Sequence, residues 1–223
     1  MKNSDRSIKK IECVCFDMDG TLIRSTDSVR FLCELNDNLD ALGEIEGFEY
    51  SGKVSWIEAD HLKARLIEGL ELDRVESEFW SSVELIQNIE QVLAYLKERR
   101  IRTVLITAGP TQVADLLGIE FGFDGIYGSR YEVIGGRFTG RITHHLGTVG
   151  KLSCLRDFCE ENDIALSRCV AVGDSESDLE LFKKCGKSIA INADDKVTKK
   201  ASESVVTENL ADILDILESW LGE

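Results

Sequence analysis

The 223-residue sequence predicts an α/β protein built on a parallel, doubly wound sheet that is flanked by helices. Three observations support this fold class. Short apolar runs alternate with segments of helical periodicity, as they do in sheets whose strands are joined by helices. A long block of helical pattern follows the first run, and a Gly-Gly pair separates two alternating runs near the middle of the chain.

Four short apolar runs are predicted to be buried strands. The first covers residues 11–16 and stops at Asp17. A separate stretch, residues 130–143, predicts a β-hairpin that turns at Gly135-Gly136. The other three strands of the sheet are predicted at residues 101–107, 168–172 and 187–191.

Helical periodicity fills the gaps between these runs. Four helices are predicted around the sheet, and in each the apolar residues recur on one stripe. The third begins at Ser175, whose hydroxyl suits an N-cap. The four helices cover residues 87–100, 151–162, 175–185 and 210–221.

The block after the first strand predicts a small helical cap inserted into the sheet domain. It contains no strand-like run comparable to the first. We therefore divide the chain into a core domain, residues 1–24 and 85–223, and a cap, residues 25–84. Three amphipathic helices are predicted within the cap, over residues 29–42, 56–68 and 74–83.

Charge and composition narrow the class of partner. Lys and Arg number 26 against 41 Asp and Glu, which gives a net charge of −15 at pH 7. Such a chain repels nucleic acid backbones and anionic membrane surfaces, so we expect neither as a partner. No window approaches the roughly 20 apolar residues of a membrane-spanning helix. The amino-terminal segment also lacks the apolar core of a signal peptide.

The seven cysteines favour a reducing compartment. Their number is odd and no C-x-x-C pair occurs, which is unlike a disulfide framework or a structural zinc site. Cys13 and Cys15 alternate within the first strand and are expected to share one buried face. The cytoplasm is the expected location, and we expect a monomer or a homodimer.

The segment with the clearest chemistry begins where the first strand ends, at Asp17-Met18-Asp19-Gly20-Thr21. Ligands of open α/β sheets bind outside the carboxyl ends of the strands, so both carboxylates belong to such an edge. The pair could ligate Mg²⁺, or one carboxylate could attack phosphorus as a nucleophile. A capped turn with no catalytic role also uses Asp and Gly, but the position after an apolar strand favours the functional interpretation.

Three further segments follow in order along the chain. Together with the first segment they resemble the four motifs of the haloacid dehalogenase superfamily of phosphatases, over about residues 11–206. The family fold is a Rossmann-like sheet with a small helical cap inserted after the first motif, which agrees with the insert predicted from periodicity. The three segments are Thr107-Ala108-Gly109 after a strand, Lys151 at the start of a helix, and Gly173 to Asp178 after another strand.

The resemblance implies catalytic roles for these residues. Asp17 would form an aspartyl-phosphate, and Asp19 would act as general acid and then as general base. Lys151 would neutralise charge on the phosphoryl group, which Thr107 would also bind. The substrate-binding set would include the backbone that follows this threonine, at Ala108 and Gly109.

The resemblance also implies a Mg²⁺ cofactor. The ion would be held by Asp17, Asp174 and the backbone carbonyl of Asp19, while Asp178 would orient the site without ligating the ion directly. The implied activity is hydrolysis of a small phosphorylated metabolite, a phosphomonoester.

Within the superfamily the sequence is most similar to phosphoserine phosphatases, including residues 136–140 and 173–186. Two substrate-binding positions depart from that branch. Thr26 stands where those enzymes have an acidic residue for the substrate ammonium, and His61 aligns with the cap arginine for the carboxylate. We therefore expect modest activity on phosphoserine and better activity on another ester. Nearby charged residues could take over these roles, namely Asp27, Arg30, Lys63 and Arg65.

Two other functions use the same residues. A phosphotransferase would pass the phosphoryl group from Asp17 to a small alcohol instead of water. A regulatory protein that only binds phosphate is disfavoured, because such a protein needs no nucleophile beside a proton donor such as Asp19.

Overall fold

The computed structural model describes residues 10–221, and within them seven strands form a single sheet. Residues 1–9, most of the segment considered for a targeting signal, and residues 222–223 lie outside this range. The strands are β1 Cys13–Phe16, β2 Arg102–Pro110, β3 Gly125–Ile134, β4 Arg137–His144, β5 Cys169–Gly173, β6 Lys187–Ile191 and β7 Glu203–Val205. Their order is β4-β3-β2-β1-β5-β6-β7, and all neighbours are parallel except β3 and β4.

Ten α-helices accompany the sheet in this part of the chain. No helix among these residues is long and apolar enough to cross a membrane. The helices are α1 Ser28–Leu35, α2 Leu39–Tyr50, α3 Trp56–Arg65, α4 Leu72–Ser82, α5 Ile89–Glu98, α6 Thr111–Phe121, α7 Gly147–Glu161, α8 Leu179–Lys184, α9 Asp195–Thr198 and α10 Ile213–Leu221.

Helices cover both faces of the sheet, as the alternation along β1 requires. Val14 and Phe16 pack into one apolar cluster, with helices that include α5, α6 and α10. Cys13 and Cys15 belong to a second cluster with α7 and α8. Successive side chains of a strand point to opposite faces, so β1 is buried on both sides and reads as one continuous apolar run. The predicted α/β fold class is confirmed.

The two ends of the helical block, residues 25–84, lie side by side where the block joins the sheet domain. The N–H of Arg24 donates to the carbonyl of Glu84 at 2.9 Å, and the N–H of Ile86 donates to Leu22 O at 2.9 Å. Because its two ends meet, the block can be inserted after β1 without disturbing the order of the sheet. It rests on the hairpin, since Gly69 N donates to Phe138 O at 2.8 Å.

The four predicted strands and the hairpin are present, with the turn at Gly135-Gly136 in the left-handed region. The sequence interpretation omitted α6, the four-residue helix α9 and β7, and it began the hairpin too late. In α6, Gly118 interrupts the apolar stripe, yet a Cβ there would lie 2.3 Å from the Ile126 side chain, so the helix needs glycine to approach β3. Strand β7 has three residues and is partly exposed, so its sequence lacks the run of apolar residues that predicts a buried strand.

The single cap helix predicted over residues 29–42 is two helices in the structure, α1 and α2. The chain turns at Asp37, which has a positive φ of 54°. The side-chain amides of Asn36 and Asn38 both donate to Leu66 O at 2.7 Å, which ties the turn to the end of α3. Asparagine and aspartate favour such turns, and this signal marks the break.

Candidate active site

The site begins at the carboxyl edge of the two central strands. Phe16 pairs with Val172, so the residues that follow β1 and β5 leave the sheet side by side. The N–H of Asp17 continues this pairing and donates to Val172 O at 2.9 Å. Gly20 turns the chain with a φ of 79°, and a Cβ there would lie 2.3 Å from an oxygen of Asp174. Asp17 and Asp174 are thus brought together by strand order and by a glycine turn.

Three carboxylates meet at this edge. Ligand oxygens of Asp17, Asp174 and Asp178 all lie within 4.8 Å of one another. Thr21 Oγ1 donates to Asp174 at 3.2 Å, and Asp178 accepts the N–H groups of Asp174 and Ser175 at 3.2 Å. Asp178 is therefore held at the start of the turn that follows β5.

Lys151 enters the carboxylate cluster from α7. Its Nζ lies 2.7 Å from Asp17 Oδ1, 2.8 Å from Asp178 Oδ1 and 2.9 Å from Ser177 Oγ, with 1% of the residue exposed. Burial opposes its charge, but the two carboxylates more than offset this and raise the lysine pKa above its ordinary range. Lys151 is a fixed cation beside Asp17.

The helix that carries Lys151 begins earlier than the sequence suggested. It starts at Gly147, whose φ is 54°, and Gly150 N donates to Leu146 O at 2.7 Å in the first turn. Gly147 and Gly150 are typical of a loop, and for this reason the sequence predicts a later start of the helix. The extra turn places Lys151 inside the helix, where its side chain reaches the sheet edge.

The cluster carries more negative charge than the protein itself compensates. Burial, followed by the charge of Asp178, raises the pKa of Asp17 to about 6. Burial, followed by Asp17 and Asp178, raises the pKa of Asp174 to about 8. The raised pKa values show that the three carboxylates are fully ionised together only when more positive charge than Lys151 is present. Ionised, they leave two negative charges beside one ammonium, and their oxygens are hard ligands, so the residues fit a divalent cation such as Mg²⁺.

Asp19 faces the same space from the other side of the turn. Its carboxylate accepts from Ser28 N and Ser28 Oγ, both at 2.7 Å. Burial is the main cause that raises the pKa of Asp19 to about 7, and the charge of Asp27 adds to it. A carboxyl group with a pKa near neutrality suits proton transfer in both directions. Sequence reasoning missed Ser28, which occupies the first position of α1.

Thr107 lies on β2 beside this pair. It is buried, and its Oγ1 accepts from Gly109 N at 2.9 Å, which leaves the hydroxyl hydrogen free to donate. A Cβ at Gly109 would lie 2.5 Å from Ser28 Oγ and 2.7 Å from Asp19, so only glycine fits there. Strand β2 continues past Thr107 to Pro110, beyond the predicted end.

These groups line one end of a cavity of about 710 Å³. Asp17, Asp19, Thr107, Lys151 and Asp174 lie at the sheet edge. Ala108, Gly109 and Thr26 also line the cavity, together with residues of the helical block. That block contributes Asp27, Val29, Arg30, Glu49, Trp56, Asp60 and Lys63.

His61 is exposed and lies outside the residues that line the cavity. Helix α3 instead lines the cavity with Trp56, Asp60 and Lys63. These residues are four and three positions apart, so they lie on one face of the helix. The ring of His61 lies 5.9 Å from that of His145. Helical spacing counted from Trp56 was the signal that could have found Lys63.

Comparison with known proteins gives consistent results. A family model described as haloacid dehalogenase-like hydrolase matches residues 14–183. Phosphoserine phosphatase of Archaeoglobus fulgidus is 27% identical over 208 residues, which are 92% of this chain and 59% of that protein. The enzyme of the same name from Streptomyces coelicolor is 28% identical over 208 residues, again 92% of this chain and 50% of that protein. The chain thus spans 59% of the length of the first of these relatives and 50% of the second.

A shorter relative and two solved structures match over more of their length. Phosphoserine phosphatase of Streptococcus thermophilus is 25% identical over 91% of this chain and 94% of its own. A phospho-aspartyl intermediate analogue of phosphoserine phosphatase superposes with a TM-score of 0.81 at 23% identity, over 93% of this chain and 99% of that one. A HAD family hydrolase from Salmonella enterica superposes with a TM-score of 0.86 at 19% identity, over 94% of this chain and 72% of that one. These structures share the fold, and since the family model covers about three quarters of the sequence, the chain belongs to the haloacid dehalogenase-like hydrolases.

Proposed function

We propose that the protein is a Mg²⁺-dependent phosphomonoester hydrolase that forms an aspartyl-phosphate on Asp17. The observation that carries this proposal is the position of Asp17, held by Lys151 at 2.7 Å, with Asp19 two residues away on the same cavity. Curated relatives named phosphoserine phosphatase, and a related structure described as a phospho-aspartyl intermediate analogue, support it.

In the first step a carboxylate oxygen of Asp17 attacks phosphorus and the ester P–O bond breaks. Asp19 donates its proton to the departing alkoxide, so the alcohol leaves neutral. The two hydrogen bonds from Ser28 hold the Asp19 carboxyl in place for this transfer.

In the second step Asp19, now a carboxylate, takes a proton from water as the water oxygen attacks the same phosphorus. The acyl phosphate bond breaks, Asp17 returns as a carboxylate, and inorganic phosphate leaves. Each proton that Asp19 gives in the first step is recovered in the second, so the enzyme ends in its starting state.

Charge on the phosphoryl oxygens is offset by groups fixed before the substrate binds. Lys151 supplies a buried ammonium, and Thr107 supplies a hydroxyl hydrogen. Bound Mg²⁺ would act as a Lewis acid toward the phosphoryl oxygens, held by Asp17, Asp174 and the Asp19 carbonyl. Asp178 accepts from Lys151 and from two backbone N–H groups, so we assign it to positioning.

Residues 25–84 act in this proposal as the cap over the phosphoryl site. They supply the far wall of the cavity, where the leaving group of the substrate would lie, and they limit the entry of water. The substrate in this proposal is a small phosphorylated metabolite. The seven free thiols support a reducing, cytoplasmic location.

Hydrolysis of p-nitrophenyl phosphate with and without Mg²⁺ tests the proposal. We expect Mg²⁺-dependent release of inorganic phosphate, and we expect Asp17→Asn to abolish it without loss of fold. Phosphate release in water, without an alcohol acceptor, also distinguishes a hydrolase from a phosphotransferase. Activity that resists EDTA, or that survives in Asp17→Asn, would overturn the proposal.

A further inference from the structure

The far end of the cavity, beyond Asp19, determines which leaving group can bind. The helical block lines it with three acidic residues and two basic ones. A substrate carboxylate would need a cation there that is not already bound to the protein. The acidic residues are Asp27, Glu49 and Asp60, and the basic residues are Arg30 and Lys63.

Both cavity-lining cations of the helical block already have partners, and so does Arg24, the cavity residue just before the block, which donates to Gly20 O and lies 3.3 Å from Glu208 Oε1. Lys63 Nζ lies 2.9 Å from Glu49 Oε2 and 3.8 Å from Asp60 Oδ1, and 14% of its side chain is exposed. Arg30 Nη2 lies 2.7 Å from Glu46 Oε2. A carboxylate that used Lys63 would have to displace Glu49 and leave that charge on the cavity wall. The Arg30–Glu46 pair is half-exposed, and Glu46 lies outside the cavity, so Lys63 carries the argument.

Asp27 differs from the other two acidic residues. Glu49 is paired with Lys63, and Asp60 binds His145 at 2.9 Å. Asp27 accepts the N–H of Arg30 at 2.8 Å as the N-cap of α1, and in the described part of the chain it forms no ion pair. One of its two oxygens is left for a ligand.

Asp27 is also close to the chemistry. It precedes Ser28, whose N–H and hydroxyl both bind Asp19 at 2.7 Å, and Asp19 is the group that protonates the leaving oxygen in the proposed reaction. A positive charge one or two carbons from that oxygen would therefore lie near Asp27. The indole of Trp56 adds an aromatic wall to the cavity, and aromatic faces attract cations.

We propose that the leaving group of the substrate carries an ammonium and no carboxylate, so that the substrate class is a phosphorylated amino alcohol. Asp27 binds the ammonium, and the pairing of Lys63 with Glu49 and Asp60 disfavours a carboxylate. This inference rests on the proposed phosphatase function and specifies its substrate.

Three esters that differ by one group each test the inference, with p-nitrophenyl phosphate as a general substrate. They are O-phosphoethanolamine, 2-hydroxyethyl phosphate, which replaces the ammonium with a hydroxyl, and L-phosphoserine, which adds a carboxylate. We expect kcat/KM for O-phosphoethanolamine to exceed each of the other two by about tenfold or more, equivalent to about 1.4 kcal/mol.

Asp27→Asn should reduce the preference for O-phosphoethanolamine over 2-hydroxyethyl phosphate by about tenfold, because asparagine keeps the N-cap but loses the charge. Asp40→Asn, at an exposed position of α2 outside the cavity, is the matched control and should leave that ratio unchanged. A ratio that Asp27→Asn does not alter would overturn the role of Asp27.

The outcomes separate the two proposals. If L-phosphoserine is preferred, or if only p-nitrophenyl phosphate is hydrolysed, the inference about the leaving group fails and the phosphatase function stands. If none of the four esters is hydrolysed in the presence of Mg²⁺, the proposed function fails and the inference fails with it.

Discussion

His145 Nε2 lies 2.9 Å from Asp60 Oδ2, so a hydrogen bond joins the loop before α7 to helix α3. Gly147 N donates to the other ring nitrogen, Nδ1, at 3.0 Å. In the neutral ring Nδ1 is therefore the acceptor, and Nε2 carries the hydrogen that is donated to Asp60. This contact links the helix that carries Lys151 to a wall of the cavity.

Removal of that link should affect substrate binding more than chemistry. We expect His145→Ala to raise KM severalfold with a smaller change in kcat, because Asp17 and Lys151 keep their contacts while Asp60 loses its hydrogen bond to the ring. His145→Gln, which can still donate to Asp60, should restore part of the loss. His144→Ala, at the exposed neighbouring position, is the control. Steady-state kinetics decide, and a fall in kcat at constant KM would contradict this role.

Lys151 should contribute to stability as well as to catalysis. Lys151→Ala leaves Asp17 and Asp178 buried without their cation, and loss of one partner of a buried pair costs about 3–5 kcal/mol. We expect urea unfolding to show a decrease of that size in the free energy of unfolding. Added Mg²⁺ should recover part of it, since it binds only the folded cluster. A decrease below about 1 kcal/mol would contradict the burial argument.

The acidic cluster predicts a specific response to metals. EDTA should abolish activity and Mg²⁺ should restore it, whereas Ca²⁺ should inhibit because its larger and looser coordination shell misplaces the carboxylates. Asp174→Ala should raise the Mg²⁺ concentration needed for half-maximal activity. A titration of activity against Mg²⁺ measures this, and an unchanged midpoint in Asp174→Ala would argue against a metal at this position.

Ser28 should act through Asp19. Ser28→Ala removes the hydroxyl bond to Asp19 and keeps the backbone one, so we expect kcat to fall about tenfold, a loss of about 1.4 kcal/mol. Asp19→Asn should cost about 10²–10⁴-fold, as is usual for loss of a general acid and base. Ser81→Ala, on the exposed face of α4, is the matched control. If Ser28→Ala retained full kcat, Asp19 would not depend on this hydroxyl.

The sheet edge could be predicted from the sequence because its chemistry is local. Asp17 and Asp174 each follow an apolar strand directly, and adjacent parallel strands end at the same edge. Lys151 was found by its order among the motifs, although its helix begins four residues earlier than the glycines suggested. Ser28 was missed because its link to Asp19 depends on how α1 packs over the turn at Gly20.

The cap was harder to predict because its residues meet only after the helices pack. Thr26 lies on the cavity as expected, but α3 is rotated so that His61 lies outside and Lys63 lies inside. The break between α1 and α2 is marked by asparagines whose partner, Leu66 O, is distant in sequence. Ion pairing cannot be read from residue types either, and it decides whether Lys63 is available to a substrate.

The most direct test of the account is to trap the phosphorylated residue. The enzyme is quenched in denaturant during turnover of p-nitrophenyl phosphate and reduced with borohydride, which converts an aspartyl-phosphate into homoserine. We expect peptide mass spectrometry to find homoserine at position 17 of the wild-type enzyme. The Asp17→Asn variant should show neither homoserine nor turnover. Homoserine at position 19, or continued turnover by Asp17→Asn, would contradict the central claim that Asp17 is the nucleophile.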